Sequence, residues 1–476
     1  MCLSARTVTC KIMQKNRVDE FLQNPRKALI TLAIPIIAGM SVQIMYNIAD
    51  TAFVGRLGAD AIAALTFSFP LFFILISVNS GIGIGMGSLI SRLLGAKKKE
   101  EAENVAMHGL FVSILMAILI STIGILTLDH VFHGLGASET VIPLAVSFMS
   151  IILFAIVFMF VAFIINSLFG AQGDTKTPMK MQITSLAVNI VLDPIFIYVL
   201  GFGVKGAAMA TLTAFIVSLS IGIYFLRKKS YLRLRWSAFK FSPKILKDIF
   251  SVGGAATLMM LLISVYTIFI NRFMSHYGTN YVASFGIVVR LESLATMPVM
   301  ALSMALVTIV GMFYGAKRSD LLKDIIHYSI KIGVLFTSAM GVVFFAIPYP
   351  FLRIFTPDAT LLSLGSRYLR IDVFTFPLMI ISMLVSRAMQ GMGLGLPGLI
   401  INIFRVIIVA IPAAYIFVYV IGYGFISIGV AAVLGGIASN IVALIWLQIQ
   451  LRKISKQSRV TEQSINPAIE EVEGAE

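Results

Sequence analysis

Residues 140–169 read TVIPLAVSFMSIILFAIVFMFVAFIINSLF, thirty consecutive positions without a charged side chain. A helix rises 1.5 Å per residue, so about 20 apolar residues cross the hydrocarbon of a bilayer. The segment is long enough to span, and it carries no polar stripe that would lay it on the surface of a water-soluble core. It reads as a membrane span, and it sets the scale for the rest of the chain.

Working outward, apolar runs bounded by charge recur along the whole sequence. They fall at 28–54, 62–92, 105–128, 140–169, 178–200 and 204–226, then at 248–274, 281–314, 325–349, 363–391, 396–420 and 424–451. Of the 476 residues, 58% are hydrophobic and 12% charged, against about 25% charged in ordinary globular domains. The expected fold is an all-α polytopic membrane protein with twelve transmembrane helices in two pseudo-symmetric six-helix bundles.

The net charge of +15 is distributed as loop charge, which argues against a nucleic-acid partner. One side of the twelve-span topology receives Arg92, Lys97, Lys98 and Lys99, then Lys176 and Lys180. The same side takes the run Arg227 to Lys247, Lys317, Arg318 and Lys323, and finally Arg452, Lys453 and Lys456. The other side receives Arg56, Lys205, Arg272 and Arg353. The positive-inside rule then places both termini in the cytoplasm and the protein in the cell (cytoplasmic) membrane. The domain reading is a cytoplasmic leader (1–27), a first lobe (28–226), a basic linker (227–247), a second lobe (248–451) and a disordered cytoplasmic tail (452–476). Cys2 and Cys10 form no metal spacing, and Arg17, Asp19, Glu20 and Arg26 break any signal-peptide core.

The two lobes repeat. Gly95-Ala96-Lys97 returns as Gly315-Ala316-Lys317, 220 positions later, and Gly58 returns as Gly278. Pro194 corresponds to Pro412 with a similar shift. Six spans plus six in one orientation make a parallel repeat of the kind that transporters rock around a central cavity. The acids break the symmetry: Asp50 pairs with Ile270 and Asp193 with Ile411.

A carboxylate in hydrocarbon is costly unless it faces a partner or a cavity, so intramembrane acids are functional candidates. Tyr46 and Asn47 precede Asp50 by four and three residues and share its helical face. Asn189 stands in the same relation to Asp193, and Pro194 frees backbone carbonyls beside it. Carboxylate, amide and carbonyl oxygens suit Na⁺ at Asp50, Asp193 and Asn189, or a proton on either acid. Asn166, Gln172 and Thr211 are further candidates in the same lobe. In the second lobe Arg290 and Glu292, and Arg370 and Asp372, suit cross-helix ion pairing or substrate contact equally. Pro35 is a candidate hinge in the first span. No phosphate loop, metal cluster or nucleophile elbow is present, so an enzyme is not expected, nor a cofactor beyond the coupling ion.

The chain resembles the multidrug and toxic compound extrusion (MATE) family over about Ala28 to Leu451. The resemblance is carried by Ala33-Ile34-Pro35, by Met40 to Phe53 with Tyr46-Asn47-Ile48-Ala49-Asp50, by Ser91-Arg92-Leu93-Leu94-Gly95-Ala96, and by Asn189 to Gly203. The last stretch is similar to the prokaryotic and archaeal DinF-like branch. The resemblance implies export of organic, often cationic, compounds in exchange for H⁺ or Na⁺ by a monomer. It further implies ion coupling by Asp50 and Asp193, with Asn166, Asn189 and Thr211 beside them, and bending at Pro35. Two departures stand out: Gln172 replaces an acid of archaeal-type relatives, and Phe148 a cavity tyrosine. With Tyr46 and Asn47 these positions are assigned to the substrate cavity. A flippase for a lipid-linked substrate is the alternative, and would use Arg290, Arg370, Arg387 and Arg405.

Overall fold

The computed structural model describes residues 17–236 and 239–473, apart from the side chains of Asn47 and of residues 457–476. Cys2 and Cys10 lie outside them. Among the described residues there are helices and no strand. After α1 (Val18–Gln23) come α2 (Pro25–Gly55), α3 (Ala59–Gly95), α4 (Lys99–Gly134), α5 (Ile142–Ala171), α6 (Lys176–Pro194) and α7 (Val204–Lys229). The second half holds α8 (Pro243–Ser275), α9 (Thr279–Gly315), α10 (Ser319–Ala346), α11 (Pro348–Arg353), α12 (Ala359–Asp372), α13 (Thr375–Gly391), α14 (Leu396–Ile403), α15 (Ile411–Tyr415) and α16 (Ile426–Glu473).

Eleven described helices or continuous helical runs are long and apolar enough to span, and α12 with α13 makes a twelfth, bent by 49°. The expected single span at 363–391 is therefore broken. Pro377, in the first turn of α13, has no N–H to return to the preceding turn. α16 runs on past the last apolar run to Glu473.

Two spans widen instead of ending. α6 passes into a π-helical turn at Ile195–Val199 directly after Pro194. α15 passes into another at Ile416–Val420, and a third links α14 to α15 at Phe404–Ala410. Backbone groups in hydrocarbon must be bonded within the protein, so a missing proline N–H is absorbed by a wider turn. The sequences Ile195-Phe196-Ile197-Tyr198-Val199 and Ile416-Phe417-Val418-Tyr419-Val420 match 221 positions apart. This register corrects the pairing of Pro194 with Pro412, since Asp193 now corresponds to Ala414 and not to Ile411. The partner is apolar either way, so the asymmetry of the acids stands.

The backbone repeats as closely as the sequence. Lys97 (φ 61°) and Lys317 (φ 57°) both adopt the left-handed conformation, as do Gly58 and Gly278, and Gly173 and Gly393. A lysine there carries a steric cost that glycine avoids. The bonds Lys98 N–H to Leu93 O (2.8 Å) and Arg318 N–H to Phe313 O (3.0 Å) close both helix ends in the same way.

The chain divides into two compact units, the first mainly Ile30–Leu94 and Lys98–Thr257, the second mainly Leu258–Glu476. In the first, α5 packs between α4 and α7, with α6 beside α7. Phe132, Met149, Ile156 and Phe160 fill its core. In the second, α13 packs on α9, α10 and α16 around Leu291, Phe344, Tyr368 and Phe376.

Within the first unit α3 and α8 touch backbone to backbone. A Cβ on Gly81 would stand 2.6 Å from Gly253 O, and one on Gly253 would collide with Gly81 O in turn. Small residues permit such approach in membranes, where packing replaces the hydrophobic effect between helices. Gly253→Ala should therefore destabilise by about 1–3 kcal/mol, read as a lower Tm in detergent. Gly254→Ala, with open space around it, should hold or raise Tm. Equal Tm values for the two variants would contradict the tight crossing.

Candidate functional site

The site in the first unit is built from i, i+4 pairs on two helices. Tyr46 and Asp50 stand one turn apart on α2, and Asn189 and Asp193 one turn apart on α6. Tyr46 OH and Thr211 Oγ1 of α7 share a hydrogen bond of 2.8 Å. Tyr198 OH, in the widened turn after Asp193, donates to Phe53 O at 2.5 Å and ties the end of α6 to α2. Three helices are thus fastened around the two acids.

Asn189 Nδ2 donates to Asp193 Oδ1 at 3.3 Å, and both residues are fully buried. The Asp50 and Asp193 carboxylates lie in each other's field, and both act on the Tyr46 phenol. Among the candidate residues of this unit, Asp50 Oδ1, Asn166 Oδ1, Asn189 Oδ1 and Asp193 Oδ2 are buried without a hydrogen bond to protein. Unbonded buried oxygens are costly. Neither Asp50 nor Asp193 has a Lys, Arg or His within ion-pair distance among the described residues. Such a set can hold a proton or a small hard cation, for which oxygen ligands are the natural donors.

The structure brings Tyr46, Asp50, Asn189, Asp193 and Thr211 together. For Asn166, on α5, it gives burial of the unbonded oxygen. The Asn47 side chain lies outside the described residues. Phe148 packs with Val54 and Val204 in an apolar cluster, so it is a wall of the first unit. Pro35 is buried inside α2, which runs unbroken through it.

Gln172 has partners of its own. It caps α5, and its Oε1 accepts from Ser230 Oγ (3.2 Å), Tyr231 N–H (2.8 Å) and Leu232 N–H (3.3 Å). Its Nε2 donates to Leu168 O at 3.1 Å. The side chain fastens the connector between α7 and α8. Asp174 assists it, with Lys229 at 3.4 Å and the Thr177 hydroxyl at 2.5 Å. Burial works against its charge, but Thr177 and Lys229 outweigh burial and hold its carboxyl below the ordinary carboxylate range.

The second unit holds a different cluster. Glu292 of α9 and Asp372 of α12 act on one another, and Arg405 acts on Glu292. Tyr266 and Tyr368 join the same field, and Asp372 Oδ2 is buried without a hydrogen bond. Arg290 is exposed on α9 and does not enter the cluster. Sequence reasoning missed Tyr266 and Tyr368. The signal for Tyr266 was present, since it lies 220 positions after Tyr46, the offset of the repeat.

The MatE family model matches residues 35–195 and 255–416, one stretch in each half and together most of the chain. The chain belongs to the MatE family. It is therefore a multi-pass integral membrane transporter and not an enzyme. The chain is 29% identical over 401 residues to "Probable multidrug resistance protein YoeA" of Bacillus subtilis, covering 82% of this chain and 86% of the relative. It is 28% identical over 393 residues to "Multidrug export protein MepA" of Staphylococcus aureus, again covering 82% and 86%. Among solved structures, MATE in the bent conformation aligns with a TM-score of 0.88 at 30% identity, over 94% of this chain and 99% of that one. The outward-facing conformation of a multidrug resistance MATE transporter of the MOP superfamily aligns at 0.85 and 30% identity, over 94% and 98%.

Within this MatE transporter the Gln172 assignment is open to a direct check. Gln172→Leu strips the acceptor from the Tyr231 and Leu232 N–H groups, at about 1–3 kcal/mol for each one left buried. Hydrogen exchange at Tyr231 and Leu232 should accelerate and Tm should fall, with substrate affinity unchanged. Weakened substrate binding with exchange unaltered would place Gln172 in the cavity.

Proposed function

We propose that the protein is a multidrug efflux transporter that exports organic, often cationic, compounds in antiport with H⁺ or Na⁺. The observation that carries this reading is the pair of buried acids, Asp50 and Asp193, with unbonded oxygens and no cationic partner. The names of the relatives YoeA and MepA support the choice of cargo.

Two carboxylates in mutual repulsion within a low-dielectric site gain from binding one positive charge. A proton on Asp193 Oδ2 leaves the Asn189 bond to Oδ1 intact and removes the repulsion. Na⁺ would instead draw on Asp50, Asp193 and Asn189 oxygens together. In either case the ion neutralises the acids that would otherwise hold a cationic substrate, so ion and substrate compete. Tyr46 and Thr211 link this event to α2 and α7, and Pro35 lets α2 bend as the charge changes. The two six-span lobes, 28–226 and 248–451, then alternate access around the substrate. The transporter acts as a monomer in the cell membrane, with both termini in the cytoplasm and no nucleic-acid partner.

The lipid-flippase alternative is less well supported, because three of its four arginines are engaged within the second unit. Arg387 donates to Gln390 Oε1 at 3.0 Å, Arg370 lies over the Phe345 ring, and Arg405 faces Glu292.

The test is uptake of a fluorescent organic cation into proteoliposomes under an imposed pH gradient or an imposed sodium gradient. One gradient should drive uptake in the wild type, and that gradient names the ion. Asp50→Asn and Asp193→Asn should each cut the driven rate at least about 100-fold, as expected for loss of a group that carries the charge. Wild-type rates in both variants would refute the mechanism.

A further inference from the structure

The connector between α7 and α8 is fastened more firmly than a topology signal needs. Asn104 of α4 binds Lys240 from both sides, accepting from its N–H at 3.0 Å and donating to its carbonyl at 3.1 Å. His108, fully buried one turn on, accepts from Ser242 N–H at Nε2 (2.9 Å), while Nδ1 faces Asn104 O (2.9 Å). A backbone N–H can only donate and a carbonyl can only accept, so the imidazole is fixed as the Nδ1–H tautomer. Phe239 packs on His108 at a tilt of 46° with ring centroids 4.8 Å apart, and Trp236 meets Phe239 edge-on at 6.4 Å.

The result of this anchoring is the placement of Trp236. It roofs an apolar groove of about 220 Å³ along α4, lined by Leu110, Phe111, Ile114, Leu115 and Ile118. Phe111, Leu115 and Ile118 are exposed positions of a membrane span, so the groove opens to the acyl chains of the bilayer. It is smaller than the roughly 300–1,000 Å³ of pockets for drug-sized ligands, and it has the form of a slot for one chain. Trp236 itself is 75% exposed, and Phe241 nearby is also exposed. Exposed aromatic rings of this kind favour the headgroup level.

The charge beside the groove is mostly positive, with Glu103 of α4 accepting from the Arg233 N–H at 3.0 Å. Arg233, Arg235, Lys240, Lys244 and Lys247 are exposed, and none has an ion pair among the described residues. Clustered cations at the edge of a membrane span attract anionic headgroups.

We propose that the connector and α4 form a binding site for an anionic glycerophospholipid, with an acyl chain in the groove under Trp236 and the headgroup on Arg233, Arg235 and Lys240. The site rests on the membrane placement of α4 and not on the transport mechanism. It lies in the leaflet on the connector's side.

The chain has two tryptophans, Trp236 and Trp446, which makes an internal control available. Trp446→Phe leaves Trp236 as the sole emitter, and Trp236→Phe leaves Trp446. Each variant is placed in phosphatidylcholine vesicles containing a minor fraction of brominated phosphatidylglycerol or brominated phosphatidylcholine. Trp236 emission should be quenched several-fold more by the anionic lipid, and the preference should shrink in high salt. Trp446 should show no preference. Changing Arg233, Arg235 and Lys240 to Gln, all exposed positions, should abolish the preference while weak quenching by both lipids persists. Equal quenching of Trp236 by the two lipids, or the same preference at Trp446, would overturn the proposal.

Discussion

Desolvation governs this molecule. In hydrocarbon each backbone N–H and C=O must find its partner within the protein, and each charge must be paired, neutralised or used. The first demand makes the spans helical and turns the break after Pro194 into the widened turn Ile195–Val199 instead of an open loop. The second leaves few ways to keep Asp50 and Asp193 where they are. They sit in one another's field with an amide, a phenol and a hydroxyl around them and, among the described residues, no cation at ion-pair distance. In the proposed function, the binding of one positive charge relieves that arrangement.

The two units meet the same demand differently on closely matched backbones. Tyr46 and Tyr266 occupy equivalent positions, and each lies in the field of buried acids. In the second unit Arg405 offsets Glu292, so that cluster already contains a compensating charge. Among the described residues, the first unit has none at ion-pair distance from Asp50 or Asp193. One scaffold thus occurs twice, with a compensating charge beside the acids of the second half; the proposed function has the first half take its charge from solution.

Most of the fold was legible in the sequence because hydropathy and loop charge are summed over many residues. No single substitution in a run such as 140–169 would hide it. The pairing of Asp50 with Tyr46, and of Asp193 with Asn189, was also legible, since i, i+4 spacing is local. What escaped the reading depends on contacts distant in sequence or on local backbone detail. The partners of Gln172 are of this kind, since only the fold brings Ser230 to Leu232 onto its amide. The bend between Asp372 and Thr375 hid inside an apolar run, although Pro377 marked it. The register of Pro194 with Pro412 followed the more conspicuous residue, while the quieter Ile-Phe-x-Tyr-Val match carried the true offset.

The central claim is that Asp50 and Asp193 form one ion site and not two separate acids. Infrared difference spectra between acid and neutral pH, and with and without sodium, report carboxyl protonation and ion contact directly. The account predicts a carboxyl signal that changes when either residue becomes Asn, with Asp193→Asn altering the signal of Asp50 and the reverse. Two signals that each vanish with their own residue and leave the other untouched would contradict it.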